Sequence, residues 1–434
     1  MDNDARRRPA TLKDLAARAR DLHRSPLVRN TVYYGINFAA QILTQFGFFA
    51  LISRALGPGG YGIFVSVSAV ALMVSVFVGW GSDHLLIQRV AVNRGEFPVY
   101  FGRAVLLIAV TLIPAVAFAF FVLHFLETTN LSAWGILCLI LAECGFRKFT
   151  FLGSAAYMAH DRAGKQFLID NGSLLLRLGA ILGLVLTADT VTLDEWAFWY
   201  LVASAVASVV TMAMVLHDFG RPKFVFTGFD FRLGLLFSLE FASVSGLRDL
   251  DKPVIVQALG ADQAGLYTAA FRIIDAATAP IRAVLYATYT RYFRHADKGA
   301  EHGIAFGIRV LPFIAGIGAL IAVFVFFIAD YVPLLLGSEY EETVGLIRML
   351  AIYPLLLGAA GIGADIMRSI GMQGARVVLI VVSNFAIVGA VWAGCVHGGL
   401  EGAVAARMAL QVALGLVTWA IIGRRKGGPS KTGS

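Results

Sequence analysis

The sequence predicts an all-α polytopic membrane protein, with twelve transmembrane helices in two parallel six-helix repeats around a central cleft. Three observations carry this reading. The 434 residues are 58% hydrophobic and only 15% charged, with a mean hydropathy of +0.75, whereas soluble proteins carry roughly 25% charged residues. Apolar runs close to the twenty residues that cross a bilayer core of about 30 Å recur along the whole chain. Basic residues concentrate in alternate connections between those runs.

In order, residues 1–30 form a basic segment (Arg6, Arg7, Arg8, Lys13, Arg18, Arg20, Arg24, Arg29) with no apolar stretch of the signal-peptide kind. Thr11–His23 carries Leu12, Leu15, Ala16, Ala19 and Leu22 at helical spacing, which fits an amphipathic helix on an anionic membrane surface or a solvated tail. Spans follow at 31–53, 62–82, 103–125, 132–156, 167–187 and 195–217, the N-terminal half (31–217). A cytoplasmic linker, 218–232, leads to spans at 233–259, 265–290, 304–328, 344–367, 374–396 and 401–422, the C-terminal half (233–422), and a flexible tail, 423–434.

The even-to-odd connections carry Arg89, Arg94 and Arg103; Arg162 and Lys165; Arg221, Lys223 and Arg232; Arg291, Arg294 and Lys298; and Arg368 and Arg376. The opposite connections hold Arg54 among acids such as Asp189, Asp194, Asp262, Glu339, Glu341 and Glu342. With a basic start and Arg424, Arg425, Lys426 and Lys431 near the end, both termini are expected in the cytoplasm.

Ala55-Leu56-Gly57 with Gly62 and Phe64 recurs as Ala258-Leu259-Gly260 with Gly265 and Tyr267, at a constant offset of 203 residues. Each copy lies in the first outer turn of a half, and an offset of six spans makes the halves parallel repeats, a design of secondary transporters whose site lies between the halves.

Other classes are excluded or weakened. The net charge of +8 is spread over the ends of apolar runs, which argues against nucleic acid. Cys138, Cys144 and Cys395 sit in apolar segments and suggest no disulfide framework. There is no P-loop, no metal-ligand spacing among the scattered histidines and no catalytic constellation, so neither catalytic residues nor cofactors are expected.

Ionised side chains at bilayer depth face the bundle interior, pair, or serve function. Glu143/Arg147, Arg248/Asp251, Asp249/Lys252 and Arg272/Asp275 stand at spacings that pair on a helix. Lys148, Arg177, Arg282, Arg348 and Arg407 have no acid within one turn. For Lys148, Arg348 and Arg407 an interhelical salt bridge or snorkelling serves as well as function. Arg177 and the Arg248/Lys252 cluster are read as cations converging on a wet cleft, where the planar Arg fork would grip an anion. Asn30, Tyr34, Asn37, Gln41 and Gln45 form a polar stripe on the first helix, expected to line that cleft, and Pro280 and Pro354 are expected to bend helices eight and ten.

Four stretches carry a resemblance. They are Ser53–Gly57 through Gly62; Gly81 to Leu86 with Arg89-Val90-Ala91; Leu250–Val256 running to Gly260, Gly265 and Tyr267; and Leu336–Tyr340. In order and span number they resemble the polysaccharide-transport (Wzx-type) flippases of the multidrug/oligosaccharidyl-lipid/polysaccharide (MOP) exporter superfamily. The resemblance implies a V-shaped two-half bundle, acting as a monomer in the bacterial inner membrane. It would move an undecaprenyl-diphosphate-linked oligosaccharide (O-antigen, exopolysaccharide or capsule unit) outward by alternating access, with membrane lipids, a polysaccharide polymerase and assembly proteins as partners. On that reading Arg177, Arg248, Lys252, Arg272 and Arg282 hold the diphosphate. Asn37, Gln41 and Gln45 meet the sugars, and Glu240, Asp275 or Asp170 couples an ion gradient. Arg177 and Arg282 belong to no motif of the family and rest on burial alone. A lipid II flippase, an ion-coupled drug antiporter and a membrane-embedded glycan enzyme stay open.

Overall fold

The computed structural model describes residues 26–125, 131–225 and 230–426. Thr11–His23 and the tail from 427 onward lie outside them. Among the described residues the chain is helical, with no strand. The N-terminal half consists of α1 (Pro26–Ser75), α2 (Ser82–Val92), α3 (Phe97–Phe125), α4 (Ala133–Ile140), a π-helix (Leu141–Phe146), α5 (Arg147–Ala159), α6 (Ala163–Thr187) and α7 (Leu193–Phe219). The C-terminal half consists of α8 (Phe231–Asp249), α9 (Asp251–Leu259), α10 (Ala261–Ala277), α11 (Ala279–Ala296), α12 (Ala300–Ile328), α13 (Val332–Leu336), α14 (Thr343–Leu350), α15 (Tyr353–Ser369) and α16 (Gln373–Lys426).

Helix occupies each predicted segment, and the differences have physical causes. A straight α1 of 50 residues would be about 75 Å long, far beyond the bilayer. Gly57, at φ 66 and ψ 176, folds it into two helices. The same happens in α16 at Gly398 and Gly399. Pro280 and Pro354 do not bend continuous helices. They stand in the first turns of α11 and α15, where a missing N–H costs nothing, so each segment is two helices in series.

Among the described residues, seven helical stretches are long and apolar enough to cross a bilayer by length and composition. The predicted segments outside that set, 132–156, 233–259 and 265–290, are those carrying Glu143 and Arg147; Asp249 and Lys252; and Arg272, Asp275 and Arg282. Their polarity has a destination, described below.

The repeat is visible in the backbone. Gly260 stands at φ 94 and ψ 172, close to Gly57. The turns at Gly57 and Gly260 bring the helices that follow them together. A Cβ on Gly62 would lie 2.0 Å from the Ala261 carbonyl oxygen, and one on Gly265 would lie 1.9 Å from that of Pro58. Only glycine permits this approach of two backbones. Beside the contact, the buried Tyr340 hydroxyl donates to the Ser53 carbonyl at 3.0 Å. The halves are therefore closed against each other at this acidic end.

At the opposite, basic end the turn after α1 meets α8. Ser238 donates to the Val76 carbonyl at 3.1 Å, the Trp80 indole donates to the Phe231 carbonyl at 3.1 Å, and Gly81 abuts the Gly234 carbonyl. Asp218 gathers Arg162, Lys165 and the Tyr157 hydroxyl on the same side.

Candidate functional site

Between the halves, below the Gly62/Gly265 contact, lies a cavity of about 390 Å³. Its lining runs along the second arm of α1 from Tyr61 to Leu72, about 16 Å of helix.

The N-terminal wall is built on the π-helix. A π turn inserts an extra residue and redirects the side chains around it, and such turns recur at functional sites. Here it turns the buried Glu143 and the neighbouring Arg147 toward the cavity. Arg147 donates to Glu143 Oε2 at 2.6 Å, and the Tyr200 hydroxyl of α7 donates to Oε1 of the same carboxylate. The Arg177 guanidinium, from α6, sits over the Tyr200 ring at 5.1 Å. Arg177 is 7% exposed, and its Nε has no hydrogen-bond partner. A buried guanidinium held by a ring face on a cavity lining has the donors that an anion would need.

The C-terminal wall is more evenly charged. Asp249 closes α8, Arg272 and Asp275 stand on α10, and Arg282 on α11. Arg282 ion-pairs with Asp275 across the break at Thr278, a spacing of seven residues that on an unbroken helix would share a face but stand about 10 Å apart. Arg272 shares the lining with Tyr61 and stands in the field of Asp249 and Asp275. Behind this wall is a buried network. Lys252 pairs with Asp249 at 2.5 Å and approaches Asp251 at 3.8 Å, and Asp251 accepts from the Tyr267 hydroxyl at 2.6 Å and faces Arg407 at 3.8 Å.

Of the residues expected to contact substrate, Arg177, Arg272, Arg282, Gln41, Gln45 and Asp275 line the cavity. Lys252 does not, because Asp249 and Asp251 hold it one layer back. Asp170 is also off the lining and accepts from Ser154 at 2.8 Å. The side chains of Asn37, Arg248 and Glu240 lie outside the described part of the chain. Lys148, Arg348 and Arg407 face Asp83, Asp330 and Asp251 respectively, the salt-bridge alternative.

Sequence reasoning passed over Glu143, Arg147, Tyr200, Asp249 and Tyr61. Glu143 and Arg147 do pair at the expected i,i+4 spacing, but a paired charge can still face a cavity. No pattern singles out Tyr200. Tyr61 was within reach, since it directly precedes the repeated Gly62.

The lining holds four arginines (Arg147, Arg177, Arg272, Arg282) against three carboxylates (Glu143, Asp249, Asp275). Adding Lys252, Arg407 and Asp251 behind the wall leaves two positive charges in excess. Among the described residues no group of His, Cys, Asp and Glu is arranged to hold a metal ion.

The family described as polysaccharide biosynthesis protein matches residues 51–345. No curated protein matches the sequence. Solved structures match in fold. An inward-facing multidrug resistance MATE family transporter of the MOP superfamily aligns with a TM-score of 0.68 and 15% identity, over 89% of this chain and 96% of its own. An outward-facing MATE family transporter gives 0.62 and 16%, over 94% and 96%. A MOP superfamily transporter from Pyrococcus furiosus, reported for the reverse polarity of its binding pocket, gives 0.61 and 15%, over 93% and 96%.

Proposed function

Because the chain belongs to the polysaccharide biosynthesis protein family and has the fold of MOP-superfamily transporters, we propose that it is a flippase. Its substrate is a polyprenyl-diphosphate-linked oligosaccharide, carried across the bacterial plasma membrane by alternating access. The observation that carries this reading is the cavity between the two halves, lined by Arg177, a buried cation, and three further arginines against three carboxylates. An organic cation would be repelled there. A diphosphate diester carries two negative charges, matching the two-charge excess of the cavity and the network behind it.

The physical task is to move a charged, hydroxylated headgroup through hydrocarbon. Stripping an ion of water costs of order 20 kcal/mol in the idealised limit, and each unsatisfied polar group adds several kcal/mol. Arg177, Arg272 and Arg282, joined by Arg248, substitute for the phosphate's water, with Lys252 reinforcing the field from one layer back. Gln41 and Gln45, and Asn37 one turn before Gln41, offer amides to sugar hydroxyls. The polyprenyl tail stays in lipid. With the basic connections and both termini cytoplasmic, the Gly62/Gly265 contact closes the outer end, and the headgroup enters from the inner leaflet when the Gly81/Gly234 contact at the cytoplasmic end parts. Asp275, paired with Arg282 on the lining, is the acid best placed to couple an ion gradient, ahead of Asp170 and Glu240.

The test is complementation of a deletion strain together with binding. Arg177→Ala combined with Arg272→Ala is expected to insert normally, abolish surface polysaccharide and weaken binding of inorganic pyrophosphate by the purified protein at least roughly tenfold, the scale of one lost charged hydrogen bond. Wild-type polysaccharide from that variant overturns the cationic-cavity reading.

A further inference from the structure

We propose that Tyr200 is the positioning residue of Arg177. Its ring carries the guanidinium, and its hydroxyl satisfies Glu143, the buried carboxylate that would otherwise draw Arg177 away from the anion. This rests on the anion-binding reading of the cavity given above.

The N-terminal wall sets a problem of charge. Glu143, Arg177 and Tyr200 are all buried, and all three line the same cavity. A carboxylate and a guanidinium on one buried wall attract each other strongly, because little water screens them. A pair between them would take from the wall the cation that an incoming phosphate needs. Among the described residues no ion pair joins the two, and the Glu143 carboxylate is divided differently. Arg147 donates to Oε2 at 2.6 Å across one helical turn, and the Tyr200 hydroxyl donates to Oε1 at 2.5 Å. Arg177 lies over the face of the same tyrosine, 5.1 Å from the ring centroid. One side chain thus meets both charges and stands between them.

The ring has no freedom to turn. Phe64, from the second arm of α1, meets it edge-on at 5.5 Å, and Trp196, one turn earlier on α7, packs on it at 5.3 Å. Trp196 is itself fully buried against Phe48 and Phe64. The face shown to Arg177 and the direction of the hydroxyl are therefore set together. Strength decides what this achieves. A ring face holds a guanidinium more weakly than a charged oxygen does, so Arg177 passes readily to an arriving phosphate. It stays available only while Oε1 of Glu143 has another donor, since a buried acceptor left bare is costly and Arg147 already serves Oε2.

The two ends of the Tyr200–Glu143 hydrogen bond then give opposite results. Binding of inorganic pyrophosphate to the purified full chain is measured by calorimetry, with melting in detergent followed alongside. Tyr200→Phe keeps the ring and removes only the hydroxyl. It is expected to weaken binding roughly tenfold, the scale of one charged hydrogen bond, although a phenol carries no charge. Glu143→Gln keeps the shape and an acceptor for Tyr200 while removing the negative charge. It is expected to tighten binding by roughly fivefold or more, as one charge that repels the anion leaves a site of effective dielectric about 20. Arg147, whose side chain is part-exposed, is not stranded by that change. In the Glu143→Gln background Tyr200→Phe should cost almost nothing, because no carboxylate is left to draw Arg177. Arg177→Ala, costly in the parent, should add little to Tyr200→Phe.

A hydrogen bond that merely propped the fold would weaken binding and lower the melting temperature when broken from either end, so weaker binding by Glu143→Gln overturns the proposal. A direct bond from Tyr200 to the phosphate would make Tyr200→Phe cost the same factor with and without Glu143, and that result overturns it too, as does a Tyr200→Phe variant that binds like its parent. Each of these leaves the anion site standing if Arg177→Ala weakens binding in the parent. A parent that does not bind pyrophosphate, or an Arg177→Ala variant that binds it equally well, overturns the anion site and the positioning role together.

Discussion

At the scale of single residues, the charges inside this bundle divide by what surrounds them. Arg177 stood out in the sequence because a lone arginine midway along an apolar helix has no local partner, and its Nε indeed finds none. Lys148 has the same local signature but meets Asp83, 65 residues away, at 3.0 Å. Sequence spacing reports only partners within a turn, so it cannot separate an anion receptor from half of an interhelical pair. Lys252 lies off the lining for the converse reason, since Asp249 and Asp251 hold it one layer back. The Asp83–Lys148 pair gives a clean test of the structural class, because both groups are buried. Asp83→Ala strands a buried ammonium and is expected to cost about 3–5 kcal/mol, seen as a lower melting temperature in detergent. Asp83→Leu with Lys148→Met removes both charges and should recover most of that loss. A single variant as stable as the parent would mean that water reaches Lys148.

At the scale of elements, the glycines of the repeat have two separate jobs. Gly57 and Gly260 occupy backbone conformations essentially closed to other residues, and they turn one helix into the next. Gly62 and Gly265 have ordinary helical backbones and matter because another backbone occupies the space of a side chain. The two jobs predict different responses to alanine. Gly260 has nothing within 4 Å of a new Cβ, so Gly260→Ala pays only conformational strain, about 1–3 kcal/mol, and should leave the contact between halves intact. At Gly62 alanine would overlap the Ala261 carbonyl and must push the halves apart, so in a chain carrying Gly59→Cys and Asp262→Cys, positions that face each other across the halves, Gly62→Ala should suppress disulfide crosslinking with little change in the melting of either half. Equal effects of the two substitutions on crosslinking would deny the distinction. The repeat itself was legible as an offset of 203 residues. The π turn at Leu141–Phe146 was not, because its residues suit an α-helix equally well and the extra residue is selected by packing around Glu143. The breaks before Pro280 and Pro354 were legible as disturbances but not as helix starts.

At the scale of the whole molecule, hydropathy and the placement of arginines were enough for the class of fold, because a bilayer constrains sequence at every span. The cavity was only half legible. Composition says that charges lie at bilayer depth, but which of them meet is decided by how the helices break and pack, as with Arg282 and Asp275 across a helix break. The segments that fall short of a membrane span by apolarity are those that supply most of the charged lining. An interhelical cavity therefore announces itself as weak hydropathy in particular helices, and it can exist only if those helices still cross the membrane. Single cysteines can check that they do. Asp189 and Glu342 are exposed in acidic connections, one in each half, and Arg94 and Lys298 are exposed in basic ones. Because the native cysteines are buried, background labelling is low. Cysteines at 189 and 342 should react with a membrane-impermeant maleimide in intact cells, and cysteines at 94 and 298 only after permeabilisation. If 342 labelled with the basic set, an odd number of crossings would separate it from 189. The charged helices would then not all span, the halves would be inverted rather than parallel, and the shared side of the Gly57 and Gly260 turns, on which closure at one end depends, would be lost.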